Sequence, residues 1–392
     1  MTHGIRLPAE WEPQAATWLC WPTEDPKRGV DARAATLRLI EVLGPGNTVR
    51  LAVANAQVAA DAEKALGNRF PQVQITATGH REVWMRDCGP VFVVGTHGAS
   101  MVRYGFDFWG YGAPFHQDAT AELVAQTHDA LLLGLQLTDV DLVSEGGNRE
   151  SNGEGTLMLV EAVERSRNPG WSRSDIEACH AGALGVTSFI WIPEGVAEDD
   201  HPARTSGYLT PMTTGGHVDN IARFVAPDTV LLAEVDDGND PLTCINRERL
   251  SRAEAAIRAA RDSQGRPFQL ARLPLPPPIF DEVSEGDAVH GMLRRVLGTE
   301  RVPETARIVH AASTMNFIIA NGVVVAPKYG RPERPRVYRD VDERVAETLG
   351  RLFPERRVEM IEPEAWNLGG GGPHCVTAHQ PRFDAQIPGQ VP

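Results

Sequence analysis

Short apolar runs alternate with helical periodicity along the whole chain. Residues 48–53 have the composition of a buried strand, and the amphipathic pattern at 57–66 predicts a helix that ends before Gly67. The same criteria give the remaining elements. We predict further strands at 73–76, 91–94, 101–104, 136–143, 156–160, 188–192, 222–225, 229–235, 267–273, 306–319, 323–327 and 358–361, and further helices at 119–132, from Ser172 or Ser174, at 247–261 and at 341–352.

These elements group into about five strand-rich units that each carry a helix, although the units do not align as sequence repeats. The hydrophobic pattern alone leaves two α/β architectures open, a propeller and an α+β sandwich. The segments 195–208 and 273–286, which are rich in proline or charge, are predicted to be surface loops or lids. We therefore predict one domain over residues 1–392.

Charge and cysteine content exclude several classes of protein. A formal net charge of −14 would repel a phosphate backbone, so we expect no nucleic-acid partner. No apolar run reaches membrane-spanning length, and residues 1–30 contain no apolar core of a secretory signal. Five cysteines at irregular spacing suit reduced thiols better than a disulfide framework. We expect a cytoplasmic protein without a membrane partner, and we leave a homo-oligomer open.

The strongest candidate chemistry is a cysteine delivered by a glycine run. Residues 369–372 are four glycines, and Cys375 follows them after Pro373 and His374. Glycine permits left-handed backbone and close approach of a ligand, and a thiolate is the most nucleophilic side chain near neutral pH. Cys375 is therefore a candidate nucleophile.

Three further segments place an acid beside a turn, at 84–90, 145–148 and 215–220. With Cys375 they would supply a histidine and three acids, more acids than acyl transfer needs to orient a histidine. The surplus negative charge favours a cationic substrate. A guanidinium group is always protonated and planar, and carboxylates accept its N–H groups in pairs.

The order of these motifs resembles the agmatine deiminase and bacterial peptidylarginine deiminase-like family of guanidine-modifying enzymes. The resemblance also includes the segments 8–13, 106–110 and 316–322, so it covers nearly the whole chain. It implies a five-bladed α/β propeller, the pentein fold, around a central channel. The motifs are Trp84-x-x-Asp87-x-Gly89-Pro90, Glu145-Gly146-Gly147-Asn148, Gly216-His217-x-Asp219-Asn220 and Gly-Gly-Gly-x-x-Cys375.

The resemblance implies a role for each matched residue. Cys375 attacks the guanidinium carbon, and His217 acts as general acid and then as general base. Asp87 and Asp219 bind the guanidinium nitrogens, and Glu145 orients His217. The implied reaction converts agmatine or a related guanidino compound to a ureido product plus ammonia, with no cofactor and no metal.

Other residues are candidates for the walls of the cavity. Trp84 and Trp109, and with them Trp11 and Trp18, could offer an aromatic face to a cation. Arg149 could contact a substrate carboxylate, or it could be a surface cation beside Glu150. His374 is expected to contribute only backbone, and Cys88 is expected to pack.

The substrate tail and the second reactant stay open. The residues Met212, Thr213, Thr214 and Gly215 stand where agmatine deiminases carry acids that meet the distal amine, so another arginine derivative is an alternative substrate. An amidinotransferase would use the same covalent intermediate. A non-catalytic guanidine-binding or redox-sensing protein is a third hypothesis. A zinc site is disfavoured because the candidate ligands lack paired spacings, and a phosphate site because no lysine follows the glycines.

Overall fold

The computed structural model describes residues 4–23, 28, 30–96, 98–201, 204–205 and 207–383. Five of its sheets share one local topology: two antiparallel strands are followed by a helix and by a strand that returns parallel to its neighbour. A parallel return needs a crossover connection long enough to hold a helix, which explains the alternation seen in the sequence.

We number the five sheets as blades by their first helix in the chain. Blade 1 contains strands Gln14–Cys20, Val49–Ala52, Val73–Thr76 and Ala378–Pro381 with helices Ala32–Leu43 and Ala56–Leu66, and blade 2 contains Ile5–Arg6, Val91–Gly95, Gly98–Gly105 and Leu137–Val143 with helix His116–Leu133. Blade 3 contains Glu150–Ser151, Thr156–Val160 and Ser188–Ile192 with helices Glu161–Arg167 and Arg173–Leu184. Blade 4 contains Ala222–Ala226, Thr229–Glu234 and Gln269–Pro274 with helix Pro241–Ala259, and blade 5 contains Ile318–Ala320, Val323–Pro327 and Arg357–Ile361 with helix Arg336–Leu352.

The two ends of the described chain meet in blade 1. Ala378–Pro381, near the end of the described residues, pairs antiparallel with Gln14–Cys20 near their beginning. This pairing supplies the antiparallel strand pair that blade 1 would otherwise lack. The five blades thereby become equivalent, as the propeller prediction requires.

Blade 5 is an example of how a blade buries its middle strand and one face of its helix. In blade 5 every residue of Val323–Pro327 is buried, and the helix Arg336–Leu352 turns Val341, Val345 and Leu349 towards the core. The spacing of four residues places these side chains on one helix face. Burial of each such side chain stabilises the fold by about 1.5–3 kcal/mol. The resulting framework holds the connections between blades in place.

A sixth sheet lies outside the repeat, and it occupies segments that we predicted to be loops. It contains Arg204–Thr205, Tyr208–Leu209, Phe280–Ser284 and Thr305–Val309, with helix Ala288–Leu297 beside it. The prediction of loops throughout 195–208 and 273–286 is therefore wrong. The sequence signal was weak because these strands are short and carry charged residues.

Two other boundaries differ from the predictions. The predicted strand 306–319 is wrong, since an irregular segment separates Thr305–Val309 from Ile318–Ala320. The helix predicted from residue 247 begins at Pro241, because the Asp240 side chain accepts a hydrogen bond from the Thr243 amide and caps it. Among the described helices, none is both long enough and apolar enough to cross a bilayer. The single-domain organisation stays a prediction.

Candidate active site

The candidate residues occupy equivalent positions in the five blades. Each lies two to five residues before the first strand of a repeated antiparallel pair, where the chain passes from one blade to the next. Five equivalent connections of a ring converge on its axis, so the repeat itself gathers residues that are far apart in sequence. The residues and the strands that they precede are Asp87 before Val91–Gly95, Glu145 before Glu150–Ser151, Asp219 before Ala222–Ala226, Asn316 before Ile318–Ala320 and Cys375 before Ala378–Pro381.

The Cys375 thiol is buried between an amide and a carboxylate. Asn316 Nδ2 donates a hydrogen bond to Sγ at 3.2 Å, and Oδ2 of Asp219 lies 3.7 Å from Sγ. Burial raises the pKa of the Cys375 thiol well above its ordinary value, and the carboxylates of Asp219 and Asp87 raise it further. In the site without a substrate, Cys375 is therefore a protonated thiol at neutral pH.

His217 lies between two carboxylates. Its Nε2 is 3.4 Å from Glu145 Oε2, and its Nδ1 is 3.7 Å from Asp87 Oδ1. Burial lowers the pKa of the His217 ring, but Asp87, Glu145 and Asp219 together outweigh burial and raise it to about 9. The ring is therefore an imidazolium at neutral pH, which is the form that a general acid needs.

The two aspartates that we expected at the guanidinium are both buried, and each is held by a fixed donor. Asp87 accepts hydrogen bonds from Trp109 Nε1 and from the Gly147 amide, both at 2.8 Å. Asp219 Oδ2 lies 2.8 Å from His374 Nδ1. Burial raises the pKa of Asp87, and so do the neighbouring carboxylates of Asp219 and Glu145, so a bound cation would stabilise its ionised form.

Gly147 marks the point at which these groups converge. A Cβ atom added there would lie 2.4 Å from His217 Nδ1, 3.0 Å from Asp87 Oδ1 and 3.3 Å from Asp219 Oδ2. Three functional side chains therefore surround one backbone position, and a side chain at that position would displace at least one of them. This is the reason why the Glu145-Gly146-Gly147 motif needs glycine.

Glu145 has a partner that the sequence did not indicate. Arg167 Nε donates to Glu145 Oε1 at 2.7 Å, and both side chains are almost fully buried. Burial opposes ionisation of Glu145, but Arg167 and His217 outweigh it and lower its pKa to about 2. Glu145 is therefore a permanent anion beside His217. Arg167 was missed because it lies at the end of a short helix, where a basic residue is common.

Asp199 is a second residue that the sequence analysis missed. Its carboxylate accepts hydrogen bonds from the Thr214 amide at 2.7 Å and from the His217 amide at 3.3 Å. The turn before His217 is therefore held by an acid that lies 18 residues earlier in the chain. No signal in the local sequence of the histidine motif pointed to it.

The glycine run makes room for Trp84 rather than for a flexible loop. A Cβ atom on Gly371 would lie 2.4 Å from Trp84 Cζ3, and one on Gly369 would lie 2.9 Å from Trp84 Cζ2. The indole ring thus packs directly against the backbone that leads to the nucleophile. Gly370 has a φ of 95°, a left-handed conformation that other residues rarely adopt.

A small cavity lies against the thiol. Its volume is about 250 Å³ including its mouth, and Trp84, Asp87, Trp109 and Cys375 line it together with the glycine run, Met212 and Thr214. Trp84, Met212 and Gly369 also line a wider cleft of about 1580 Å³, which includes open solvent. The inner space suits a planar group such as a guanidinium, and the outer cleft would hold its substituent.

Trp109 reaches the cavity through an unusual backbone conformation. Phe108 and Trp109 have φ values of 60° and 56°, so two consecutive bulky residues are left-handed. Such conformations cost about 1–3 kcal/mol each and persist only where packing fixes them. Phe108 stacks on Phe115 with ring centroids 4.5 Å apart, and this packing holds the turn that aims Trp109 Nε1 at Asp87.

The structure does not bring Arg149 to this cavity. Its guanidinium stacks over Tyr104 at 4.1 Å and donates to the Ser144 carbonyl, and it lines a separate cavity behind the site. The expected contact with a substrate carboxylate is therefore absent from this geometry, because Tyr104 holds the side chain elsewhere. Trp18 is also not a wall, since it is fully buried and donates to Gln380.

His374 contributes more than backbone, contrary to our expectation. Its Nδ1 lies 2.8 Å from Asp219 Oδ2 and its Nε2 lies 2.7 Å from Glu10 Oε2. Glu10 belongs to the segment 8–13 that carries part of the family resemblance, so the two ends of the described chain meet at the site. Cys88 is buried and packs as expected, and Trp11 packs partly buried against the hydrophobic core; neither residue lines the cavity.

Another cluster has donor atoms suited to a metal. One ligand atom each from His80, Cys88 and Glu122 lies within 4.8 Å of the others. Both nitrogens of His80 are already bound to carboxylates, Nδ1 to Glu122 at 2.6 Å and Nε2 to Asp129 at 2.7 Å. These carboxylates raise the pKa of His80 to about 10 against the effect of burial, which leaves a cation without a free lone pair for a metal.

The fold and the site define a cysteine-dependent enzyme that acts on a C–N bond of a guanidine. The family model of the Porphyromonas-type peptidyl-arginine deiminases matches residues 6–381, and the chain belongs to this family. It is 33% identical to an agmatine deiminase of Pseudomonas putida and 34% identical to one of Pseudomonas syringae pv. tomato, in each case over 96% of both chains. The solved agmatine deiminase of Enterococcus faecalis superposes with a TM-score of 0.79 at 24% identity, covering 97% of this chain and 96% of its own. The predicted five-bladed α/β propeller, the pentein fold, is confirmed.

Proposed function

We propose that this protein hydrolyses the guanidinium group of agmatine, or of a closely related small guanidino compound, to a ureido group and ammonia. The observation that carries the proposal is the clustering of Cys375, His217, Asp87 and Asp219 in one place, where Cys375 and Asp87 line a small cavity. The names of the relatives support agmatine as the first candidate substrate.

Binding follows from charge and shape. A guanidinium in the cavity would donate N–H groups to Asp87 and Asp219, and the Trp84 ring would offer it an aromatic face. The Oδ1 atom of Asp219 is buried and has no hydrogen-bond partner among the described residues, so a substrate N–H would satisfy it. A cation at this position cancels the charges that keep the Cys375 thiol protonated, and so its pKa falls when substrate binds.

The chemistry then needs only a nucleophile and one proton carrier. The thiol proton leaves to solvent, Sγ bonds to the guanidinium carbon, and His217 gives its proton to the departing nitrogen as the C–N bond breaks. Ammonia leaves and a thiouronium remains on Cys375. Neutral His217 then takes a proton from water as the oxygen attacks that carbon. The C–S bond breaks as the hydroxyl proton of the adduct passes to the sulfur, and the ureido product leaves with the thiol restored and His217 protonated.

We assign to Glu145 and Trp109 the role of supporting the reacting residues. Glu145 keeps His217 charged and oriented while the salt bridge to Arg167 fixes Glu145 itself. Trp109 fixes the rotamer of Asp87 through its indole N–H. We also infer that the enzyme works in the cytoplasm, because all five cysteines are unpaired.

A substrate panel tests the proposal. Agmatine, free arginine, guanidino acids and arginyl peptides are each incubated with the enzyme, and ammonia release is measured together with the mass of the product. Hydrolysis exchanges one NH for O, whereas an amidinotransferase moves the whole amidine to an added amine. The proposal expects ammonia and a ureido product from agmatine or a close analogue, and no turnover of any guanidine would refute it.

A further inference from the structure

His374 is a buried histidine held by an acid on each side. Its exposure is 2%, its Nδ1 lies 2.8 Å from Asp219 Oδ2, and its Nε2 lies 2.7 Å from Glu10 Oε2. These two contacts place the ring between the carboxylates of Asp219 and Glu10. The result is a continuous chain of polar contacts from Glu10 to Cys375.

Two arginines hold Glu10, which stands at the outer end of this chain of contacts. Glu10 Oε2 accepts hydrogen bonds from Arg223 at 3.1 Å and from Arg86 at 3.2 Å, and its Oε1 accepts one from the Ile319 amide at 2.8 Å. Burial opposes ionisation of Glu10, but His374 and the two arginines outweigh it and lower its pKa well below the ordinary value. Glu10 is therefore an anion with little freedom to move.

At the inner end of this chain of contacts, the two oxygens of the Asp219 carboxylate have different surroundings. Oδ2 of Asp219 is held by His374 and lies 3.7 Å from Cys375 Sγ, whereas Oδ1 is buried without a hydrogen-bond partner among the described residues. An unpaired buried acceptor costs free energy until a ligand supplies a donor. The His374 contact thus sets which oxygen stays available.

We propose that His374 and Glu10 are positioning residues of the reaction. His374 holds Asp219 in the orientation that leaves Oδ1 free for a guanidinium N–H, and Glu10 acts only through the His374 ring. This inference rests on the proposed function, since it assigns two residues that support the same guanidinium-binding site. It also gives a physical reason for an acid at position 10 and a histidine beside the nucleophile.

Two isosteric variants separate the two contacts of the ring. In His374→Asn the amide nitrogen takes the place of Nδ1 and keeps the donor to Asp219, whereas in His374→Gln the amide takes the place of Nε2 and keeps only the contact with Glu10. Each variant is assayed for the rate of Cys375 alkylation by a haloacetamidine, for protection by substrate, and for thermal unfolding. Because misplacement of a binding group by about 1 Å can cost about 10²-fold, we expect the Gln variant to react about 10²-fold slower.

The Asn variant should react within about fivefold of the parent, since its remaining contact is a hydrogen bond to a charged group like the one that it replaces. Glu10→Gln should slow alkylation in the parent and add no further loss to His374→Asn, as expected for residues that act in series. Equal rates in the Asn and Gln variants, or additive effects of Glu10→Gln, would overturn the proposal.

The alkylation readout also separates this inference from the proposed function. If the parent enzyme turns over none of the guanidines but its thiol still reacts with the haloacetamidine, the proposed function fails and the Asn and Gln comparison still decides the role of His374. If turnover is found and the two variants behave alike, the positioning role fails alone. Unfolding temperatures within a few degrees of the parent exclude a general loss of structure.

Discussion

The sulfur of Cys375 lies 3.7 Å from an oxygen of Asp219, although 156 residues separate the two in the chain. This contact couples the nucleophile to the binding of a cation. The carboxylate raises the pKa of the thiol in the empty site, and a guanidinium that binds to the carboxylate removes that effect. The nucleophile is therefore activated where and when a substrate is present.

Removal of the thiol should separate binding from chemistry. We predict that Cys375→Ala loses at least about 10³-fold in turnover, because the covalent route is closed, while it still binds guanidines through Asp87 and Asp219. Ammonia release and calorimetric titration with agmatine measure the two effects. Cys179→Ala is the matched control and should keep parental activity, since Cys179 packs under blade 3 away from the cavity. Parental turnover in Cys375→Ala would contradict the assignment.

Neutralisation of Asp87 should weaken binding as well as rate. In Asp87→Asn one oxygen remains to accept from a donor, but the charge that faces the guanidinium is lost. A hydrogen bond to a charged group is worth about 1.5–3 kcal/mol, so we predict a 10- to 100-fold weaker Kd and a similar further loss in kcat/KM. Unchanged affinity with a reduced rate would show that Asp87 acts on chemistry alone.

Loss of the Glu145 charge should shift the pH dependence in a defined direction. In the parent, carboxylates raise the pKa of His217 to about 9, so the general acid is protonated below that pH and is lost as pH rises through it. Glu145→Gln removes one of the anions that stabilise the imidazolium, so we predict that the alkaline limb of kcat/KM moves to lower pH.

Arg167 loses its nearest anionic partner in that variant, although Ser166 and the Thr214 carbonyl still accept hydrogen bonds from it, and the unfolding temperature must therefore be measured beside the activity. Glu177→Gln is the control. Glu177 lies in helix Arg173–Leu184 of blade 3, where it accepts a hydrogen bond from Trp191 and does not face the site. An alkaline limb that stays in place in Glu145→Gln would show that Glu145 does not set the pKa of His217.

A single methyl group at Gly147 should inactivate the enzyme without removing any functional side chain. The added Cβ would lie 2.4 Å from His217 Nδ1, so we predict at least about a 10²-fold loss of kcat/KM in Gly147→Ala. The control is Gly182→Ala, where the added Cβ meets nothing within 4 Å. Gly182 lies inside a helix, so this control should be active and more stable by about 0.5–1 kcal/mol. Full activity of Gly147→Ala would contradict the convergence described above.

The sequence predicted much of the repeat because each blade needs a buried strand and an amphipathic helix. Runs such as Thr156–Val160 and Val323–Pro327 are buried on both faces and are apolar apart from Thr156. The sixth sheet was predicted only in part. Its strand Thr305–Val309 falls within the predicted strand 306–319, whereas Tyr208–Leu209 escaped prediction because it is only two residues long. Short strands carry too few positions for a period to be recognised.

Motifs predicted the residues that we assign to the reaction better than the residues that support them. Cys375, His217 and Asp87 stand in short segments dense in glycine and acids, so their chemistry is visible locally. Asn316 lies in a segment that carries the resemblance, but we placed it in a predicted strand and gave it no role, and Arg167 lies in an ordinary helix. Arg149 was expected at the substrate because it follows the Glu145 motif, but sequence distance does not determine which side of a blade a side chain faces.

The central claim is that Cys375 bonds covalently to the guanidinium carbon. It is tested most directly by mass spectrometry of the enzyme quenched in acid during turnover of agmatine, with the peptide that carries residue 375 sequenced. We predict an amidino adduct on Cys375 that is absent without substrate, and that is missing both in Cys375→Ala and in His217→Ala, which lacks the general acid for ammonia release. Ureido product formed by an enzyme whose Cys375 stays unmodified throughout turnover would contradict the account.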